Sequence, residues 1–192
     1  MAISDLCYNR LMKRKDLNKL AIAIIISELA GTVGSIFTIS EIQNWYTTLQ
    51  KPALNPPDWI FGPVWTTLFI LIGISLYLVW KEDWKVKNPL LHSSKKAWNP
   101  WSKRLWSGDL QKQNIIAIFV LQYVLNILWS YIFFGLHLPN WAFFEILALW
   151  SAIVYMIINF YRVSKPAAYL LLPYLLWVSF ATYLNLAIWM LN

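Results

Sequence analysis

The chain has 192 residues, of which 59% are hydrophobic and only 13% charged, where an ordinary soluble domain carries about 25%. With a mean hydropathy of +0.50, this balance excludes a water-soluble globular domain and makes lipid the surrounding solvent. The net charge is +7 and Cys7 is the only cysteine, which excludes an internal disulfide and a cysteine-ligated metal site.

Residues 1–19 form a basic lead-in with Arg10, Lys13, Arg14, Lys15 and Lys19. No small-residue cleavage site follows the first apolar run, so the lead-in is expected to stay in the mature protein. The first apolar segment, about 20–39, is long enough to span and carries one charge, Glu28, near its centre. Ala23, Ser27, Gly31 and Ser35 recur every four residues along it. That ridge of small side chains predicts close approach of another helix within the bundle.

The first loop, 40–58, holds Trp45 and Tyr46 and then Lys51-Pro52-Ala53-Leu54-Asn55-Pro56-Pro57. Consecutive prolines fix φ and restrict the residues before them, so this stretch reads as a stiff extended strap. Pro63 falls at the start of the next helix, where its missing N–H costs least. The strap therefore delivers Trp59 and Trp65 to the mouth of that helix, as a binding-site roof or as an aromatic anchor at the membrane surface. The second segment, 59–80, has no charge, and at about 1.5 Å per residue it crosses a hydrocarbon core of about 30 Å.

Residues 81–112 are a polar, basic linker with no run long enough to span. Three more apolar segments follow, 113–135, 141–161 and 167–191. A short break at His137 to Asn140 and a basic turn at Arg162 to Lys165 separate them. None alternates apolar and polar residues like a barrel strand, so all five spans are predicted as helices. The fold class is an all-α bundle of five transmembrane helices, residues 20–192, behind the 1–19 lead-in. Fifteen of the sixteen Lys and Arg fall on one side of this topology, leaving only Lys51 on the other. The positive-inside rule puts the N-terminus and linker in the cytoplasm and the strap on the opposite side. It also accounts for the basic linker without nucleic acid.

Polar groups deep in a span need a reason. Gln122, Asn126 and Trp129 share one face of the third helix. Trp177, Ala181 and Leu184 form a comparable stripe on the fifth, with Asn185 beside it. With Trp65, these would line an aromatic cavity with a few amides, suited to a flat, largely apolar ligand. The amides alone are equally consistent with hydrogen bonds between helices. Glu28 reads as a neutral acid bonded to a neighbouring helix, or as part of a proton relay. His92 and His137 lie on opposite sides, so a His-based metal or haem-ligating site is not expected. No nucleophile elbow or phosphate loop is present.

Taken together, Trp45-Tyr46-x-x-Leu49-x-Lys51-Pro52, Pro56-Pro57-x-Trp59-x-Phe61-Gly62-Pro63-Val64-Trp65, Gly73 and Leu78-Val79-Trp80-Lys81-Glu82 resemble the TspO/MBR family. The likeness continues through Gln122-x-x-x-Asn126-x-x-Trp129, Phe133-Phe134-Gly135 and Trp141-Ala142. It closes with Pro173-Tyr174-Leu175-x-Trp177-Val178-x-Phe180-Ala181-Thr182-x-Leu184-Asn185-x-x-x-Trp189. This resemblance implies a homodimeric five-helix bundle whose first loop caps a ligand pocket. It implies tetrapyrrole ligands, protoporphyrin IX and haem, with no required cofactor. Sterols and drugs of the isoquinoline carboxamide and benzodiazepine types are implied as further ligands.

By position, Trp65 and Trp177 correspond to pocket tryptophans implicated in light- and oxygen-dependent porphyrin breakdown. Tyr46, Pro56, Asn126 and Trp129 correspond to further pocket positions, and Trp141, Ala181 and Leu184 to drug or sterol contacts. The expected host is a prokaryotic plasma membrane, or the outer mitochondrial membrane in a eukaryote. The chain departs from the mammalian cholesterol motif, because Leu184 to Met190 has neither its Tyr nor its basic residue. A reversed version, Lys165-x-x-x-Tyr169-Leu170, lies nearby. Three functions stay open from sequence: a tetrapyrrole-binding receptor or regulator, a light-dependent porphyrin-degrading enzyme using Trp65 and Trp177, and a proton- or solute-coupled transporter using Glu28.

Overall fold

The computed structural model describes the backbone of residues 3–82 and 108–192, with side chains from 16 and 112 onward in the two stretches. The side chains of the basic residues before position 16, together with His92 and most of the linker, therefore lie outside the described residues. All regular structure among the described residues is helical. Helix α1 runs Ile3–Gln43 and α2 runs Phe61–Trp80. Helix α3 runs Gly108–Ser130 and continues as a π-helical turn, Tyr131–Gly135. Helix α4 runs Pro139–Val163. The last span is two pieces, α5, Lys165–Leu170, and α6, Leu172–Leu191.

Five stretches are long and apolar enough to cross a membrane: Asp16–Gln43, Asp58–Trp80, Lys112–Gly135, Pro139–Val163 and Lys165–Leu191. They contain the five expected segments and overrun several of them. Helix α1 extends past both expected ends, because a helix satisfies its backbone in water as well as in lipid, so polarity at Ser40 and Glu41 does not end it. The break at Leu171 has a covalent cause. Pro173 has no N–H to bond the Tyr169 carbonyl, and Leu171 turns back through a three-residue bond to the Ala168 carbonyl instead. Pro63 sits in the first turn of α2, after a 3-10 turn at Asp58–Ile60, as its chemistry predicts.

The helices pack in a ring, in the order α1, α2, α5/α6, α4, α3 and back to α1. The ridge on α1 faces into this ring. Ala23 and Ser27 are fully buried, and a Cβ on Gly31 would lie 2.6 Å from the Phe69 ring on α2. From the other side, a Cβ on Gly73 would lie 2.6 Å from the Ile24 Cα. Small residues on both helices let α1 and α2 approach almost backbone to backbone. The core between α2, α3, α4 and α5/α6 is filled by Phe69, Ile72, Leu149, Met156 and Tyr174. Leu17, Ile25, Ile36, Trp150 and Leu176 point outward, as lipid-facing residues must.

Candidate functional site

Beneath the 44–60 loop the ring does not close, and a cavity of about 370 Å³ remains between α1, α2, α3 and α6. Helix α4 contributes nothing to its wall. On the α1 side the wall is made of small residues, Gly31, Gly34 and Ser35, with Trp65 and Trp129 also lining the space.

The cavity's aromatic wall is held by ring-to-ring packing. Trp65 stacks on Phe69 with centroids 5.5 Å apart, and meets Tyr174 edge-on at 6.3 Å. Trp177 packs against Phe61 at 5.9 Å, while Trp129 stacks on Phe133 at 5.2 Å. Offset and edge-to-face pairs of this kind favour one orientation of each ring.

Two hydrogen-bond chains position the polar groups. The Asn126 side-chain amide donates to the Tyr174 hydroxyl oxygen at 3.0 Å, and that hydroxyl donates to Gln122 at 3.2 Å. The Trp129 indole N–H donates to Asn185 at 3.0 Å, and the Asn185 amide donates to the Pro139 carbonyl at 2.7 Å. Asn126 and Asn185 thus do both things the sequence left open: they bridge helices, and they line the cavity.

The strap roofs the space. Tyr46 is 4% exposed and donates its hydroxyl to Asn55 at 2.7 Å. Burial, and then the charge of Asp58, push the Tyr46 phenol up to about 12, against a partial offset from the Asn55 bond. The Lys51 ammonium sits 4.1 Å above the Tyr46 ring, a cation–π contact. Asn192 pins the strap from below: its side chain accepts from the Gln50 N–H at 3.0 Å and donates to the Gln50 carbonyl at 3.1 Å. Beside the roof, His137 adopts a left-handed φ of 55°, held by Glu41 at 2.9 Å and stacked on Trp45 at 4.4 Å.

Of the residues singled out from sequence, Tyr46, Trp65, Asn126, Trp129, Trp177, Ala181 and Leu184 all line this one cavity, and so does Glu28. Pro56, Trp141 and Gln122 do not, Gln122 being buried behind the wall on the Tyr174 hydroxyl. Pro56 belongs to the strap, where its carbonyl accepts from Asn55. Trp141 is 62% exposed on α4, facing away from the hollow. Trp59 is 72% exposed, so the two tryptophans after the strap part: Trp65 goes to the cavity and Trp59 to the surface. Glu28 makes no bond to a neighbouring helix, and its Oε1 is enclosed without a partner among the described residues. Phe61, Phe69 and the phenol of Tyr174 were not picked out from sequence. Their signal was only a helical stripe on either side of a known tryptophan.

Five apolar helices around a roofed, tryptophan-walled hollow define an integral membrane protein with an internal ligand-sized cavity. The chain belongs to the TspO/MBR family, whose sequence model matches residues 23–190. It is 41% identical over 179 residues to the tryptophan-rich protein TspO of Chlorobaculum tepidum, covering 93% of this chain and 98% of that protein. It is 40% identical over 172 residues to the TspO of Archaeoglobus fulgidus, covering 89% and 95%. Against the human translocator protein it is 39% identical over 157 residues, covering 82% and 80%.

Proposed function

We propose that this protein is a membrane receptor or regulator that binds tetrapyrroles, protoporphyrin IX or haem, in the cavity beneath the strap. The observation that carries the reading is the wall itself: Trp65, Trp129 and Trp177 converge on one space from three helices. A flat conjugated ring buries its faces against indole and benzene rings with little loss of conformational freedom. The family membership supports the same class. By the distribution of Lys and Arg, the N-terminus is cytoplasmic and the strap faces the opposite side. Titration of the purified protein with protoporphyrin IX in darkness should quench tryptophan fluorescence with saturation at one ligand per chain. A linear, non-saturating response equal to that of empty micelles would contradict binding.

A second reading, light- and oxygen-dependent breakdown of protoporphyrin IX, is favoured by one contact. Trp65 lies against both Phe69 and Tyr174, so an indole radical formed beside an excited porphyrin has an oxidisable phenol next to it. Under illumination in air, the wild-type protein should bleach the porphyrin band over repeated additions. Changing both Trp65 and Trp177 to Phe should reduce bleaching at least about tenfold, a loss of about 1.4 kcal/mol in barrier lowering. Unchanged bleaching would leave the protein a binder only.

A further inference from the structure

The polar groups on the α1 wall of the cavity are mostly acceptors. On the α1 wall, Thr32, Ser35 and Thr38 each donate their one hydroxyl hydrogen back to their own helix. The acceptors are the carbonyls of Glu28, Thr32 and Gly34, at 3.1, 2.7 and 3.0 Å. What these hydroxyls keep is lone pairs. Glu28 lies on the same wall, with its Oε1 enclosed and unpartnered. Asp58 adds a second carboxylate at the roof, and no Lys, Arg or His is among the lining residues. On the opposite side the Asn185 amide places its oxygen on Trp129 and one N–H on Pro139. Among the described residues, the indole N–H of Trp177 is an enclosed donor without a partner.

The geometry points to Glu28 as the specificity-determining residue of this cavity. Its carboxyl group selects flat ligands that bring an N–H donor or an ammonium group to the α1 wall, and disfavours ligands that bring a carboxylate there. The inference rests on the reading of this cavity as the ligand site, and refines it. A carboxylate in the wall of an apolar cavity gains from a cationic partner, and a ligand ammonium supplies one. A ligand carboxylate meets like charge and oxygen lone pairs instead.

The test uses two fluorescent probes of one shape, 9-(aminomethyl)anthracene and anthracene-9-carboxylate, titrated against the full-length protein and its Glu28→Gln variant in the same nonionic micelles. The partition of each probe into empty micelles is measured and subtracted, so affinities compare between probes as well as between proteins. The wild-type protein should bind the amine about tenfold or more tightly than the acid, as expected for a charge-assisted hydrogen bond. Glu28→Gln keeps the shape and adds a donor, so the preference should fall to within about threefold. Equal wild-type affinities, a result that needs no variant, would overturn the inference while leaving the cavity as a ligand site. So would an unchanged preference in Glu28→Gln. Binding of neither probe would overturn it together with the cavity reading.

Discussion

Tyr46 shows how one side chain fixes the roof. Its ring packs between Phe133 and Phe134, its hydroxyl reaches Asn55, and Lys51 covers its outer face. The neutral phenol is what this packing accepts, so its ordinary value of 10.0 rises to about 12. A group that titrates higher when docked gives its stabilisation in full below the undocked value, and loses it as pH rises through the docked one. Docking of the strap should therefore be constant up to about pH 10 and weaken by about 2–3 kcal/mol toward pH 12. Tyr46→Phe should remove that pH dependence, at a cost of about 1 kcal/mol from the lost hydrogen bond at neutral pH. The difference in tyrosinate absorbance between the two proteins, followed from pH 9 to 12.5, isolates the late-titrating phenol. A difference centred near 10 would show a solvated Tyr46.

At the scale of the helix, the α1–α2 contact carries two glycines with different neighbours. An added methyl at Gly73 meets Ile24 main-chain atoms, the Cα at 2.6 Å and the N at 3.0 Å, which move only if the helices part. At Gly31 it meets the edge of the Phe69 ring, at 2.6 and 2.8 Å, and a ring can shift. Phe69 carries Trp65 stacked on it, so the shift passes into the cavity wall. Gly73→Ala should thus destabilise the bundle by about 1–3 kcal/mol, the usual range for overpacking, and leave porphyrin affinity close to normal in the folded fraction. Gly31→Ala should do the reverse, weakening affinity more than stability. Thermal unfolding in micelles, paired with porphyrin titration of each variant, separates the two. Equal effects on both properties in both variants would mean the contact is uniformly soft. The four-residue recurrence of small residues announced the close approach, because side-chain size is local information. It could not say which glycine faced backbone and which faced a ring, because that depends on the partner helix.

In the whole molecule the same divide decides what was legible. Five spans were readable because each is a run of apolar residues long enough for the bilayer, and the strap because proline restricts the chain locally. Trp65, Trp129 and Trp177 could be placed on helix faces by spacing alone, and they share a hollow. Trp141 could not be placed, since its direction depends on how α4 sits outside the cavity wall, and it points away. The hydrogen bonds that hold the ring together were equally hidden, because they join residues dozens of positions apart. Asn185 on α6 ties Trp129 of α3 to the Pro139 carbonyl at the start of α4. It is 1% exposed, so a variant leaves those partners with little water to turn to. Asn185→Leu should then cost about 1–3 kcal/mol, as for buried groups left unpaired. Trp129→Phe keeps most of the ring but removes the indole N–H. If the Trp129–Asn185 bond is a unit, the double variant should cost less than the two singles together by about 0.5–1.5 kcal/mol, the size of interhelical bonds in membrane bundles. Equilibrium unfolding of the four proteins in mixed micelles measures that coupling. A value of zero would mean that the two residues stabilise the bundle separately.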